Sequence, residues 1–213
     1  MNDPLSVLAP EGFHLPSPLL QDVNAAYASP GRVYHDIAHV RSVAGEFATV
    51  QREQGWTGPR EVYLAVLYHD AVYVPGAVDN EAESAARARR AIVAFMPRAA
   101  VDADRVSDLI VATARHGTLG AGDADQEMAL FLDCDMAILG APPATFDAYA
   151  RGIASEYAWL SKDEYRAGRG RFLARLLAAP RIFLSALFHD RLDGAARQNL
   201  ARELAELGAA PPP

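Results

Sequence analysis

The segment that decides the fold is residues 62–73, VYLAVLYHDAVY, in which apolar side chains recur with the spacing of a buried helix. Val62, Ala65, Val66 and His69 lie three or four positions apart, so a helix places all four on one face. The segment has no alternation of apolar and polar residues with strand period. It therefore predicts a helix that points a histidine into the core.

The same pattern extends over most of the chain. The sequence is rich in Ala, Leu, Arg and Glu, which favour helix, and Gly and Pro residues divide it into short segments. We therefore predict an all-α fold, a single compact bundle of about eight to ten helices over residues 17–208. A disordered, Pro-rich tail is expected over residues 209–213.

Two helix starts have the spacing of a capping box, in which a side chain and the residue three positions later satisfy each other's free amides. Asn80 with Glu83 is one pair, and Ser161 with Glu164 is the other. Both pairs predict a helix beginning at that point.

Composition narrows the functional class. A net charge of −7 argues against nucleic acid as a partner, although a small phosphorylated substrate remains compatible. The single cysteine, Cys134, cannot form an internal disulfide, and residues 1–18 have no secretory pattern. The richest apolar run, residues 182–188, is too short to span a bilayer. A cytoplasmic protein without membrane contact is expected, and its oligomeric state is not predicted.

Polar side chains interrupt the apolar face of four predicted helices. They are His39, His69, His116 and Asp135, and His35 lies one turn before the first. Burying such groups unpaired costs several kcal/mol each, so each has a separate partner or they share one. A divalent cation satisfies several together, and mixed imidazole and carboxylate ligands suit Mn, Fe, Ni, Co, Zn or Mg.

Four segments carry a resemblance to a known family, namely residues 34–39 (YHDIAH), 68–73 (YHDAVY), 79–85 (DNEAESA) and 133–140 (DCDMAILG). With them the sequence resembles the HD superfamily of metal-dependent phosphohydrolases, in particular a small bacterial branch with no settled substrate. The resemblance extends more loosely through residues 165–169 and 199–204.

The resemblance implies an α-helical fold and metal ligands at His39, His69, Asp70 and Asp135. It also implies hydrolysis of a small phosphate ester, such as a nucleotide or a sugar phosphate. One divalent ion is expected, and a second is possible because some relatives hold two. Asp70 is then expected both to bind the metal and to orient the attacking water.

Further residues receive candidate roles. Glu81, at the start of a predicted helix, is a candidate general acid or base, or simply a carboxylate that favours the helix dipole. His35 and His116 are candidates for substrate phosphate or for a second metal. Lys162 and Arg169 are candidates for substrate phosphate, although basic residues after a helix start usually form a solvated face.

Two further motifs contain acidic residues that we do not assign to the metal site. The pair His189-Asp190 also has the His-Asp sequence, but it is set aside as a site component. Within Asp133-Cys134-Asp135, periodicity places Asp135 on the buried stripe. Asp133 is offset by roughly 200°, so we expect it to face away from that stripe.

Two other functions remain open. The chain can keep the fold as a binding or regulatory module without turnover, although a complete ligand series argues against that. It can also be a di-metal oxygenase on the same fold, which would need a second set of histidines.

Overall fold

The computed structural model describes residues 3–120 and 122–208. Over these residues the regular structure is entirely helical, which confirms the predicted all-α class and the expected eight to ten helices. The predicted disordered tail, residues 209–213, lies outside the described residues. The α-helices are α1 (Pro4–Leu8), α2 (Ser17–Tyr27), α3 (Ile37–Glu53), α4 (Pro59–Tyr68), α5 (Asn80–Phe95), α6 (Ala103–Ala112), α7 (Gln126–Met136), α8 (Pro143–Glu156), α9 (Lys162–Ala178) and α10 (Ala186–Glu206).

Contacts divide the chain into two compact units, Met1–Arg115 and His116–Pro213. The prediction of one domain over residues 17–208 therefore stays a prediction. In the first unit, α4 is the central helix and packs against α3, α5 and α6. Each residue from Val62 to Tyr68 is buried, which explains why residues 62–68 are almost continuously apolar.

Helix α1 extends the first unit beyond the predicted start at residue 17. Leu5 is fully buried, and its carbonyl accepts a hydrogen bond from the Tyr63 hydroxyl. The same helix contacts α3. A short helix that the sequence pattern did not reveal thus adds Leu5 to the core beside α3 and α4.

The second unit is built around α10, the longest described helix. Gly140, in a short 3₁₀ turn after α7, lies so close to α10 that an added Cβ would be 2.7 Å from the Cβ of Leu192. The Asn199 amide donates to the carbonyls of Leu139 and Ala141, both at 2.9 Å. These contacts fix the end of α7 against the middle of α10.

The structure confirms one of the two predicted capping boxes. Ser161 and Glu164 satisfy each other's backbone amides at the start of α9. The Asn80 box is wrong, because α5 already begins at Asn80 and is preceded by Asp79. The Asn80 side chain instead bonds the backbone N–H and carbonyl of Val74, at 2.9 and 3.0 Å, so a loop contact replaces the helix cap.

In the part of the chain that the structure describes, no single helix has the length and apolar character needed to cross a bilayer. One bent pair, Gln126–Gly140 with Pro143–Glu156, meets the length and composition criteria only when its two halves are combined.

Candidate metal centre

Three potential ligand atoms converge in the first unit. They belong to His39 on α3 and to His69 and Asp70, which directly follow α4. The two imidazole Nε2 atoms are 2.9 Å apart. The Asp70 Oδ2 atom lies 3.1 Å from Nε2 of His69 and 3.4 Å from Nε2 of His39. Among the described residues, this is the one group of three or more His, Cys, Asp or Glu side chains that fits around an ion. We call it the His-His-Asp cluster.

These distances match the spacing of ligands around a small divalent cation. With metal-ligand bonds of about 2.1 Å, two ligands at 90° are about 3.0 Å apart and two at a tetrahedral angle about 3.4 Å apart. All three separations in the cluster fall close to that range. The three atoms therefore fit one face of a tetrahedral or octahedral coordination sphere.

Local backbone structure orients the two histidines. Asp36 is the N-cap of α3, and its Oδ1 accepts from the backbone N–H groups of Ala38 and His39. The Nδ1 atom of His69 lies 3.0 Å from the carbonyl of Val66. A carbonyl can only accept, so Nδ1 carries the proton and Nε2 of His69 offers its lone pair to the cluster. Imidazole ligands of metals commonly have such a partner on the other nitrogen.

Electrostatics keep the Asp70 carboxyl ionised. Burial raises the pKa of this carboxyl, but hydrogen bonds from the imidazoles and the positive charge that His69 carries when both of its nitrogens are protonated lower that pKa well below the usual value. Both histidines are buried, with 5% of His39 and 1% of His69 exposed. A carboxylate beside two buried imidazoles is a ligand set that attracts a divalent cation.

The structure brings the candidate His35 close to the cluster. Its ring lies 5.7 Å from that of His39 and packs against Tyr73 at 4.1 Å, measured between centroids. The ring of Tyr34 lies 4.9 Å from that of His39. His35 therefore borders the cluster within an aromatic group. Its predicted role toward phosphate or a second metal stays a prediction.

Glu81 lies in the first turn of α5 and is half-buried. The loop that leads from the cluster to this helix is fixed by Ser84, whose hydroxyl accepts from the N–H of Val72 and donates to its carbonyl, at 3.0 and 3.1 Å. The chain thus passes from Asp70 to Glu81 along a tethered loop. The structure neither adds Glu81 to the cluster nor tests its acid-base role.

Asp135 and His116 lie in the second unit, where they contact each other. Nε2 of His116 is 2.8 Å from Oδ2 of Asp135, and both side chains are largely buried. The structure therefore brings together two residues that the sequence assigned to different roles. That Asp135 is a metal ligand, and that His116 meets substrate or a second metal, stay predictions.

Asp133, which the periodicity placed away from the stripe that carries Asp135, is buried as well. Asp133 is 2% exposed and accepts hydrogen bonds from the N–H groups of Leu184 and Ser185, at 2.8 and 2.7 Å. The Ser185 hydroxyl donates to it as well, at 2.5 Å. Burial raises the pKa of the Asp133 carboxyl by more than these donors lower it, so the pKa is raised to about 6. Asp133 thus anchors the segment that leads into α10.

The two basic candidates have different environments. Lys162 is exposed in the first turn of α9. Arg169 is 8% exposed, and its guanidinium donates to both carboxylate oxygens of Glu203, at 2.8 and 2.9 Å, and to the Tyr149 hydroxyl at 3.1 Å. These partners occupy Arg169, so the structure favours a role in the core of the second unit over contact with phosphate.

The second His-Asp pair has separate surroundings. His189 Nδ1 lies 3.3 Å from Asp193, four residues later on α10, and Asp190 is exposed. Asp193 also accepts from Arg197 and from the N–H of Ile182. These contacts are consistent with setting His189-Asp190 aside.

Arg32, which no sequence pattern singled out, contacts both chain segments that contain the cluster residues. Arg32 donates hydrogen bonds to the carbonyls of His35 and Asp70. An arginine three residues before a histidine motif is a weak signal by itself, because most arginines are exposed. Its partner lies 38 residues away, so only the tertiary structure identifies it.

Comparisons of the chain with protein-family models, with curated proteins and with solved structures found no match. The resemblance to the HD superfamily therefore rests on the sequence motifs alone. What the structure adds is the all-α fold and the geometry of the His-His-Asp cluster, both observed on this chain.

Proposed function

We propose that the chain is a metal-dependent phosphohydrolase that cleaves a small phosphate ester, such as a nucleotide or a sugar phosphate. The observation that carries the proposal is the convergence of His39 Nε2, His69 Nε2 and Asp70 Oδ2 within 2.9 to 3.4 Å. Three such atoms meeting in a buried position are costly without a cation to share. The motifs of the HD resemblance supply the reaction class.

His39, His69 and Asp70 would hold the divalent ion, with Asp135 proposed as a further ligand on the strength of the resemblance alone. When bound, such an ion lowers the pKa of water and offsets the negative charge of a phosphoryl oxygen. Asp70 has a second carboxylate oxygen outside the three converging atoms, and we assign it to accept a hydrogen bond from the attacking water. His35 borders the cluster and is assigned to the substrate phosphate.

Metal dependence is tested with the purified protein. Metal content is measured directly, and hydrolysis is then screened with Mn, Ni, Co and Mg over a panel of nucleotides and sugar phosphates. Asp70→Asn removes the anionic ligand and is expected to lose metal and activity together. A wild-type protein that hydrolyses phosphate esters equally well after chelation would contradict the proposal.

Glu81 is proposed as the general acid or base. It shares the first turn of α5 with Glu83, which is exposed, so both favour the helix dipole to a similar extent. Glu81→Gln is expected to lower kcat by about 10²-fold or more while metal content is unchanged. Glu83→Gln is the matched control and is expected to keep full kcat. Equal kcat values for the two variants would return Glu81 to the role of a helix-start carboxylate.

Metal binding without hydrolysis of any ester on the panel would favour the binding or regulatory module. Consumption of dioxygen by the metal-loaded protein would favour the oxygenase. Both outcomes would overturn the phosphohydrolase while leaving the metal centre in place.

A further inference from the structure

We infer that Arg32 is the positioning residue of the His-His-Asp cluster, because it holds the two chain segments that carry the ligands in one fixed arrangement. The inference rests on the metal centre of the proposed function, but not on hydrolysis. Arg32 precedes α3, which carries His39. Two of its hydrogen-bond partners, the carbonyls of Asp70 and Ala71, lie in the segment directly after α4, which contains the other two ligands.

The hydrogen bonds of Arg32 connect these two segments directly. Its Nη1 atom donates to the carbonyl of His35 at 2.7 Å and to that of Asp70 at 2.8 Å. Its Nη2 atom donates to the carbonyl of Ala71 at 3.2 Å. Helix α4 ends at Tyr68, so the carbonyls of residues 70 and 71 lie beyond its hydrogen-bond ladder and need partners from elsewhere.

Two aromatic rings hold the guanidinium in place. Its central carbon lies 5.0 Å from the ring centroid of Tyr27 and 5.5 Å from that of Tyr73. A planar cation packed against two aromatic rings has little freedom to rotate, so its donors stay directed at the three carbonyls. Lysine has neither the plane nor the fork of donors.

The backbone of Asp70 is consequently fixed on both sides. Its N–H donates to the Tyr27 hydroxyl at 3.2 Å, and its carbonyl accepts from Arg32. With both peptide groups restrained, the Cα–Cβ direction of Asp70 is restrained as well. The carboxylate then stays directed at the two imidazoles before an ion arrives.

The other ligand segment is restrained through the same guanidinium. The bond to the His35 carbonyl holds the residue before Asp36, and Asp36 caps α3 through the N–H groups of Ala38 and His39. A displacement of Arg32 would therefore remove hydrogen bonds from both ligand segments. Loss of such outer contacts to metal ligands typically weakens metal affinity by about 10- to 100-fold.

The test compares Arg32→Lys with Arg87→Lys. Arg87 is the matched control, since it is a partly buried arginine of the same unit whose partner is Asp22 at 2.7 Å. The readouts are the Kd for Mn²⁺ by titration calorimetry, the visible absorption spectrum of the Co²⁺-loaded protein, and the melting temperature in chelator. Arg32→Lys is expected to raise the Kd by about 10- to 100-fold and to change the Co²⁺ spectrum. Arg87→Lys is expected to lower the melting temperature while leaving the Kd and the spectrum at their wild-type values.

Tyr27→Phe is the second variant, because it removes only the hydroxyl that accepts from the Asp70 N–H. It is expected to raise the Mn²⁺ Kd by a smaller factor than Arg32→Lys. If Arg32→Lys does not fold, the Mn²⁺ Kd of Tyr27→Phe tests whether the backbone contacts of Asp70 control metal affinity. Wild-type Kd values in every folded variant at Arg32 and Tyr27 would overturn the inference while leaving the metal centre intact. A wild-type protein that binds neither Mn²⁺ nor Co²⁺ would overturn the metal centre, and this assignment with it.

Discussion

Two substitutions of the same chemical kind, Asp133→Asn and Asp135→Asn, are expected to have different consequences. Both residues lie in α7, two positions apart, and neither is exposed. Asp133 anchors the segment before α10, whereas Asp135 contacts His116 and is the proposed metal ligand. The first variant should therefore lose stability, and the second should lose metal.

The magnitude for Asp133 follows from its three donors. The N–H groups of Leu184 and Ser185 bind different carboxylate oxygens, and the Ser185 hydroxyl binds one of them as well. An asparagine has one oxygen, so its NH₂ group must face a backbone N–H that then has no acceptor. Hydrogen bonds to a charged group contribute about 1.5 to 3 kcal/mol, so the loss is about 2 to 4 kcal/mol. For a chain of this size that corresponds to a fall in melting temperature of about 4 to 16 °C.

Asp135→Asn changes stability less. The side chain is 14% exposed, and an asparagine oxygen can still accept a hydrogen bond from His116. The expected cost is about 1 kcal/mol or less, or at most about 2 to 4 °C. Metal content and hydrolysis are expected to fall together.

Melting temperatures for both variants are measured in chelator at pH 7.5, so that metal binding does not contribute, and metal content is measured separately. Asp133→Asn should melt clearly below wild type yet retain metal when folded. The reasoning is refuted if Asp133→Asn melts within about 2 °C of wild type. It is equally refuted if that variant loses metal while Asp135→Asn keeps it.

Three further predictions concern the cluster and the core of the second unit. Mn²⁺ affinity should fall as the pH drops, because protons compete with the ion for two imidazole ligands, whereas the Asp70 carboxyl, whose pKa is lowered, stays ionised. A titration calorimetry series that showed constant affinity from pH 7.5 to 5.5 would contradict imidazole ligation. Glu203→Gln leaves the buried guanidinium of Arg169 without its carboxylate. The variant should therefore lose about 3 to 5 kcal/mol of unfolding free energy and melt about 6 to 20 °C below wild type. An unchanged melting temperature with a raised KM would instead place Arg169 at the substrate. Gly140→Ala should destabilise the protein by about 1 to 3 kcal/mol, because its Cβ would clash with Leu192. Gly194→Ala, whose Cβ would have nothing within 4 Å, should stabilise the protein by about 0.5 to 1 kcal/mol. Denaturant titrations in which the unfolding free energy changes in the same direction for both variants would contradict the close approach of Gly140 to Leu192.

Features that depend on neighbours within about one helical turn could be predicted from the sequence. The helical class followed from apolar spacing, and the Ser161 cap followed from a residue three positions away. The same spacing predicted that His39 and His69 point into the core, and both are buried. These features are local, so a single sequence contains the information that specifies them.

The partner of each buried polar side chain is distant in sequence and is identified only by the packing of the helices. Arg32 bonds the carbonyl of Asp70, 38 residues away, and Asp133 bonds Ser185, 52 residues away. Arg169 bonds the buried carboxylate of Glu203, 34 residues away. Periodicity also does not reveal that Asp133 is buried, because α7 is buried around its whole circumference from residue 129 to 134 and has no solvent-facing side there. The partners of buried charges are set by how helices pack, and packing brings together segments that no local pattern relates.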